Sequence, residues 1–481
     1  MFSKLFSLFK FQPSSPKELR TLTVVAAISL SQGLLSGLGT VWGYVYKDDF
    51  FLSPALASSL DADLRIPWII KPIWGFMSDN LPIFGYKRLS YLLLSSIAIW
   101  ICLFYFGTVA PAFGIGFGLL FLNNIGQSIQ AVMGQAILVE NAQEISSKEG
   151  ATQDDKAKAA SRGISTFYGM KIAGGTIYSL LIASLLTEEG RRSFIFYSSF
   201  VPVAVFFFAF VLPETPKKAK KEILLGNPGA TRSFAAVESS ENPPQESNFK
   251  KAWGFLKDPL MCQAMILMFL NSFQPGSGQA KFYFFTNELG FKPDFLGTLN
   301  IVASFATMLG VFIYNRFFST INLKTFYSFS QVICALLTLC MVILYNRWNI
   351  AWGVSDELFM ILDNLVTSIA GEVNSLPLLI LACRLCPKNI EATVFSILSA
   401  VSNTAGILSS QLGAYLLYRL NITADNFENL QYMPMILAAF QIVPLVVLWC
   451  LDIDAAIEKV DKKNCEEEKK NDQEKCEEAT M

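Results

Sequence analysis

Apolar runs long enough to cross a bilayer recur along this chain and constrain it more tightly than any local motif. A spanning helix needs roughly 20 such residues. Six runs precede residue 214, at 22–45, 54–78, 89–110, 113–139, 162–186 and 193–212, and six follow residue 256, at 259–286, 293–317, 323–345, 356–382, 390–418 and 431–451. Inside hydrocarbon every backbone polar group needs a partner within the protein, so runs of this length predict helices. With 52% hydrophobic and 16% charged residues among 481, the chain is more apolar than a soluble protein of its length. The expectation is an all-α integral membrane protein with 12 transmembrane helices in two six-helix halves.

The divisions follow the composition. Residues 1–21 form a cytosolic N-terminal segment without the long apolar core of a cleaved signal peptide. Residues 22–213 form the first bundle, 214–256 a Lys-, Ser-, Pro- and Glu-rich linker, 257–451 the second bundle and 452–481 a charged tail. When alternate loops are assigned to the cytosol, most of the 38 Lys and Arg fall on the side of both termini. The positive-inside rule therefore places both termini in the cytosol. The halves also echo one another: Leu122–Leu138 and Leu362–Leu378 align without gaps, each in the fourth helix of its half, as a duplicated transporter predicts.

Composition excludes several chemistries. A net charge of -1 speaks against a nucleic-acid partner. Histidine is absent, which removes imidazole metal sites, Ser-His-Asp catalysis and a histidine proton relay, so any proton must ride on a carboxylate. The nine cysteines are scattered, and Cys383 and Cys386 lack the further ligands of a zinc site. No phosphate loop or nucleophile elbow is present, so the reading is not an enzyme, with no cofactor and no metal. Transport would be secondary, driven by substrate or ion gradients.

Polar residues recur inside the spans at helical spacing. Asn124, Ser128 and Gln135 share a face of the fourth helix, and Asp363, Thr367, Glu372 and Ser375 lie on its counterpart. Asn271, Gln274 and Lys281 flank a PGSG break in the seventh. A charge near the bilayer centre costs about 2.5–3.5 kcal/mol on insertion scales. Asp63, Arg65, Lys71, Lys171, Lys281, Asp363 and Glu372 therefore call for water, a partner or a ligand. Asp61 and Arg65 are spaced for an ion pair, whereas Lys171 has no carboxylate within four residues.

The stretch GFMSDNLPIFGYKR supplies Gly75, Asp79, Gly85, Lys87 and Arg88. It resembles the loop motif of the major facilitator superfamily, with a longer insertion. The wider string PWIIKPIWGFMSDNLPIFGYKR, with KFYFFTNELGFKPDFLG at 281–297 and CPKNIEATVFSILSAVSN at 386–403, resembles the folate/biopterin transporter family of that superfamily.

The resemblance implies an alternating-access carrier of folate or biopterin, with protons as cosubstrate. It implies a cytosolic gate at Gly75, Asp79, Gly85, Lys87 and Arg88, with Arg384 and Glu391 as its equivalent in the second half. For the substrate it implies Asp363 or Glu372 against the pterin ring and Lys171, Lys281 and Arg65 toward the glutamate tail. Asn124, Gln135, Gln274 and Asn403 would form hydrogen-bonding walls. Lys71 is either a substrate contact or a gate ion pair, and Asp63 is the proton site. The rival readings are a carrier of another organic anion and a non-transporting sensor. A monomer is expected, in the plasma membrane or an organelle envelope.

Overall fold

The computed structural model describes residues 15–146, 153–187, 190–214, 259–318, 321, 323–385 and 391–450. Among them the regular structure is helical, apart from one isolated bridge between Ile83 and Tyr86. The helices are α1 (Pro16–Ser36), α2 (Leu38–Tyr44), α3 (Pro54–Asp63), α4 (Lys71–Asn80), α5 (Leu89–Thr108), α6 (Phe113–Ser146), α7 (Gln153–Leu185), α8 (Arg191–Ser198) and α9 (Phe200–Ala209). After the linker come α10 (Pro259–Ser272), α11 (Gly278–Tyr283), α12 (Pro293–Ile313), α13 (Leu323–Tyr345), α14 (Trp348–Ala351), α15 (Asp356–Leu385), α16 (Glu391–Arg419) and α17 (Tyr432–Cys450). Six helical stretches among the described residues are long and apolar enough to cross a membrane by themselves, beginning with Pro16–Asp49.

The described residues form two compact units. One takes the described residues within Met1–Gln245, Ser277–Phe305 and Ser410–Leu430, and the other those within Glu246–Gly276, Ala306–Ser409 and Gln431–Met481.

In the first unit α1 starts where Ser15 caps the backbone N–H of Glu18 at 3.2 Å and Pro16 presets the first turn. Its apolar face joins Tyr91 and Leu92 of α5, Met133 and Ile137 of α6, Phe167 of α7 and Val205 of α9 in one core around Val24, Val25 and Ile28. The crossing of α1 and α7 is set by glycine. A Cβ on Gly33 would collide with the Lys171 carbonyl oxygen and stand 2.9 Å from the Gly175 nitrogen, and one on Gly174 would meet the Leu30 carbonyl and stand 2.9 Å from the Leu34 nitrogen. Small residues let two spanning backbones touch in this way.

The single helix expected over 54–78 is broken. α3 ends at Asp63, a 3-10 turn covers Ile66–Trp68, and α4 begins at Lys71. Pro67 and Pro72 carry no N–H and cannot continue the ladder. The indole N–H of Trp74 donates to the freed Pro67 carbonyl at 3.3 Å, which makes the break tolerable inside an apolar span. Its consequence is to place Lys71 at the first turn of α4, where the helix dipole adds to the positive charge.

The later segments of this unit are tied to α3 and its neighbours. Gln279 donates its backbone N–H to the Ser58 hydroxyl at 2.9 Å, and Tyr283 donates its hydroxyl to the Leu52 carbonyl at 2.7 Å.

In the second unit α13 and α15 are joined by the short α14. Asp356 closes that turn, accepting from the Asn349 amide at 2.8 Å and pairing with Arg347 at 2.8 Å. α15 carries Pro377 within its length, and a small core gathers Tyr314, Phe326 and Val373.

Candidate functional site

The loop between α4 and α5 is built around one guanidinium. Arg88 is only 6% exposed. It reaches Asp79 at 2.5 Å, Glu140 of α6 at 2.7 Å and the hydroxyl of Ser78. Burial works against its charge, but the Glu140 and Asp79 carboxylates outweigh it, so the guanidinium is held above its ordinary pKa. Glu214, just past α9, accepts the backbone N–H groups of Lys87 at 2.6 Å and Leu89 at 2.9 Å, and that of Arg88 at 3.1 Å. An acid at the start of α5 satisfies donors that no turn of helix can reach. The insertion folds as a tight turn, with Phe84 at φ 52° and Gly85 at φ 85°, closed by Tyr86 N–H to Ile83 carbonyl at 3.0 Å. Two successive positive φ values define a type I′ turn, which explains the glycine at 85. Gly75 is less constrained, since a Cβ there meets only Val132 at 3.6 Å.

Lys71 and Lys171 both lie in the first unit. Lys71 stacks over the Trp68 ring at 4.4 Å, and Trp68 in turn donates its indole N–H to Asn124 at 3.2 Å. Neither lysine pairs with a carboxylate among the described residues. Arg65 pairs with Asp61 at 2.6 Å, the spacing the sequence suggested, and Lys281 stands over Phe285 at 5.4 Å.

Asp63 accepts the amide N–H of Gln411 at 2.7 Å, while the Ser59 hydroxyl donates to the carbonyl of the same Gln411 at 2.8 Å. Elsewhere in this unit Arg191 bridges Asp48 at 2.9 Å and Asp49 at 2.7 Å, and Lys47 donates to Asn287 at 2.9 Å.

Gln274 lies in the second unit, in a cavity of about 260 Å³. An amide chain runs along its wall. Asn374 donates to Gln331 at 2.5 Å, Gln331 to the Gln441 carbonyl at 2.8 Å, and Gln441 to Gln274 at 3.3 Å. Thr338 donates to Gln441 at 3.0 Å, and Asn271 accepts from Tyr327 at 2.8 Å. Glu372, on α15, has its Cβ and Cγ against Gly310 of α12 and does not line this cavity. Gln135 belongs to the first unit, and Asp363 and Asn403 belong to the second. The side chains of Arg384 and Glu391 lie outside the described residues.

The profile of a known family matches residues 32–471. The chain belongs to the BT1 family. It is 31% identical over 433 residues to the Folate-biopterin transporter of Synechocystis sp., covering 89% of this chain and 81% of that protein. Folate transporter 1 of Plasmodium falciparum is 30% identical over 409 residues, covering 85% and 75%. Probable folate-biopterin transporter 4 of Arabidopsis thaliana is 26% identical, covering 90% and 96%. Among solved structures, the nucleoside transporter NupG matches with a TM-score of 0.63 at 12% identity, over 90% of this chain and 99% of that one. A D-xylose-proton symporter matches with a TM-score of 0.59 at 13% identity, over 90% and 96%. The fold is that of major facilitator transporters, and the chain is an integral membrane protein of a transporter family rather than an enzyme.

Glu140, Glu214, Gln411 and most of the amide chain escaped sequence reading. The signals were present: Glu140 is the first acid past the fourth apolar run, Gln331 is the one amide in the ninth, and Gln441 lies in the middle of the twelfth.

Proposed function

We propose that this chain is a secondary active transporter of folates and pteridines, folate and biopterin among them, coupled to protons and working by alternating access. The observation that carries this reading is that Lys71 and Lys171, both in apolar spans of the first unit, have no carboxylate partner among the described residues. A cation in apolar surroundings is costly until an anion joins it. A folate tail brings two carboxylates to one end of the molecule, and the relatives' names, Folate-biopterin transporter and Folate transporter 1, agree with that class of substrate.

The further substrate residues are Arg65, Lys281, Asn124 and Gln135 of the first unit and Gln274, Asn403 and either Asp363 or Glu372 of the second. Asp79 and Arg88, with Gly75, Gly85 and Lys87, form the cytosolic gate, with Arg384 and Glu391 as its counterpart. Asp63 is the proton site. Its ionised form accepts the Gln411 N–H more strongly than its neutral form does, so protonation loosens that contact. The chain crosses the membrane 12 times as a monomer, in bundles at 22–213 and 257–451 joined by 214–256, with both termini in the cytosol.

The test compares a substrate with a glutamate tail to one without. Lys71→Gln and Lys171→Gln are expected to raise KM for folate by about ten-fold or more, the scale of one lost charge-assisted hydrogen bond, and to leave biopterin uptake nearly unchanged. Equal loss for both substrates would remove the lysines from tail recognition. Preferential uptake of an unrelated dicarboxylate would move the reading to another organic anion.

A further inference from the structure

The amide-lined cavity of the second unit is a polar pocket that the charged residues above do not explain. None of its described lining residues carries a charge, so it cannot hold the dicarboxylate tail, whose burial without a cation is prohibitive. Its volume of about 260 Å³ falls just below the roughly 300–1,000 Å³ of sites for drug-sized ligands, too small for a whole folate and ample for a flat two-ring heterocycle. Gln274 donates to the Asn271 backbone carbonyl at 2.7 Å and accepts from Gln441, and side-chain amides of this kind can pair with the amino group, ring N–H and carbonyl oxygen of a pterin edge. Asn271 commits its carbonyl oxygen to Tyr327, while its amide nitrogen has no partner among the described residues. The mouth is marked by Gly371 and Ser375, one turn apart on α15 and both exposed. A Cβ on Gly371 would meet nothing within 4 Å.

We infer that this cavity receives the pterin ring, with Asn271, Gln274 and Gln441 reading its polar edge. The inference rests on the pteridine reading given above. It names the amides of α10, α13, α15 and α17 as determinants of heterocycle specificity.

Cys334 lines the same cavity and is half-buried, so it reports occupancy directly. Alkylation of Cys334 by N-methylmaleimide, followed by peptide mass spectrometry on the full-length protein, is expected to be slowed by biopterin and not by p-aminobenzoylglutamate, which lacks the ring. Gly371→Leu replaces a helix-weakening residue and projects into the mouth, so it is expected to fold and to weaken biopterin uptake about ten-fold or more. Asn271→Asp keeps the oxygen that Tyr327 uses and removes the free donor, with the same expected direction. Saturable biopterin uptake with no protection of Cys334 and an unchanged KM in both variants would overturn the cavity assignment and leave the transport reading standing. Absence of any pteridine uptake or binding by the wild-type protein would overturn both.

Discussion

Gly33→Ala and Gly174→Ala are each expected to destabilise the protein by about 3 kcal/mol, at the upper end of what overpacking a tight contact produces. The obstacles are backbone atoms: the Lys171 carbonyl and Gly175 nitrogen for the first, the Leu30 carbonyl and Leu34 nitrogen for the second. Backbone in a spanning helix cannot rotate aside as a side chain does, so α1 and α7 must separate along their length. The displaced residue would be Lys171, since its own carbonyl forms the contact. Gly39, in α2, meets nothing within 4 Å, and there the same substitution should be neutral or stabilise by about 0.5–1 kcal/mol through reduced backbone freedom. Thermal unfolding of the detergent-solubilised protein, with abundance in the membrane as a second readout, distinguishes the two sites by sign. Equal effects at Gly39 and Gly174 would mean that the crossing is not close.

Arg88→Ala is expected to reduce substrate uptake about ten-fold or more while the protein still reaches the membrane. Each charge-assisted hydrogen bond of such a group contributes about 1.5–3 kcal/mol, and Arg88 makes them to two carboxylates on different helices. Asp79 and Glu140 are 54% and 51% exposed at the side chain, so both stay hydrated when the guanidinium is removed, and the fold is not left with a buried bare charge. Arg88→Lys is expected to remain impaired, because an ammonium cannot present the planar fork that reaches Asp79, Glu140 and Ser78 together. A double-mutant cycle with Glu140→Gln should give a coupling of about 0.5–3 kcal/mol on the rate of uptake. Full activity in Arg88→Ala at normal abundance would remove this cluster from the gate.

Much of the fold was legible because bilayer length and backbone satisfaction leave helices as the natural outcome for apolar runs, and six of them are long and apolar in the structure. The motif around Asp79 and Arg88 was legible as a pair, because acid and base lie nine residues apart on one loop. What was not legible is what the rest of the chain brings to it. Glu140 and Glu214 are 52 and 126 residues distant from Arg88, and no periodicity links them. The break after Asp63 was hidden by the strong apolar character of 54–78. Prolines at 67 and 72 announced it, and Trp74 supplies the compensating donor that a hydropathy reading cannot see. The pocket in the second unit is lined by neutral amides, each unremarkable alone and informative only when hydrogen bonds connect them.

The most direct measurement is uptake of labelled folate by the purified wild-type protein in proteoliposomes, with and without an inwardly directed proton gradient, set against Asp63→Asn. The account expects saturable uptake, competed by biopterin, accelerated by the gradient in the wild type and insensitive to it in the variant. Reconstituted protein that moves neither folate nor biopterin under either condition would contradict the central claim.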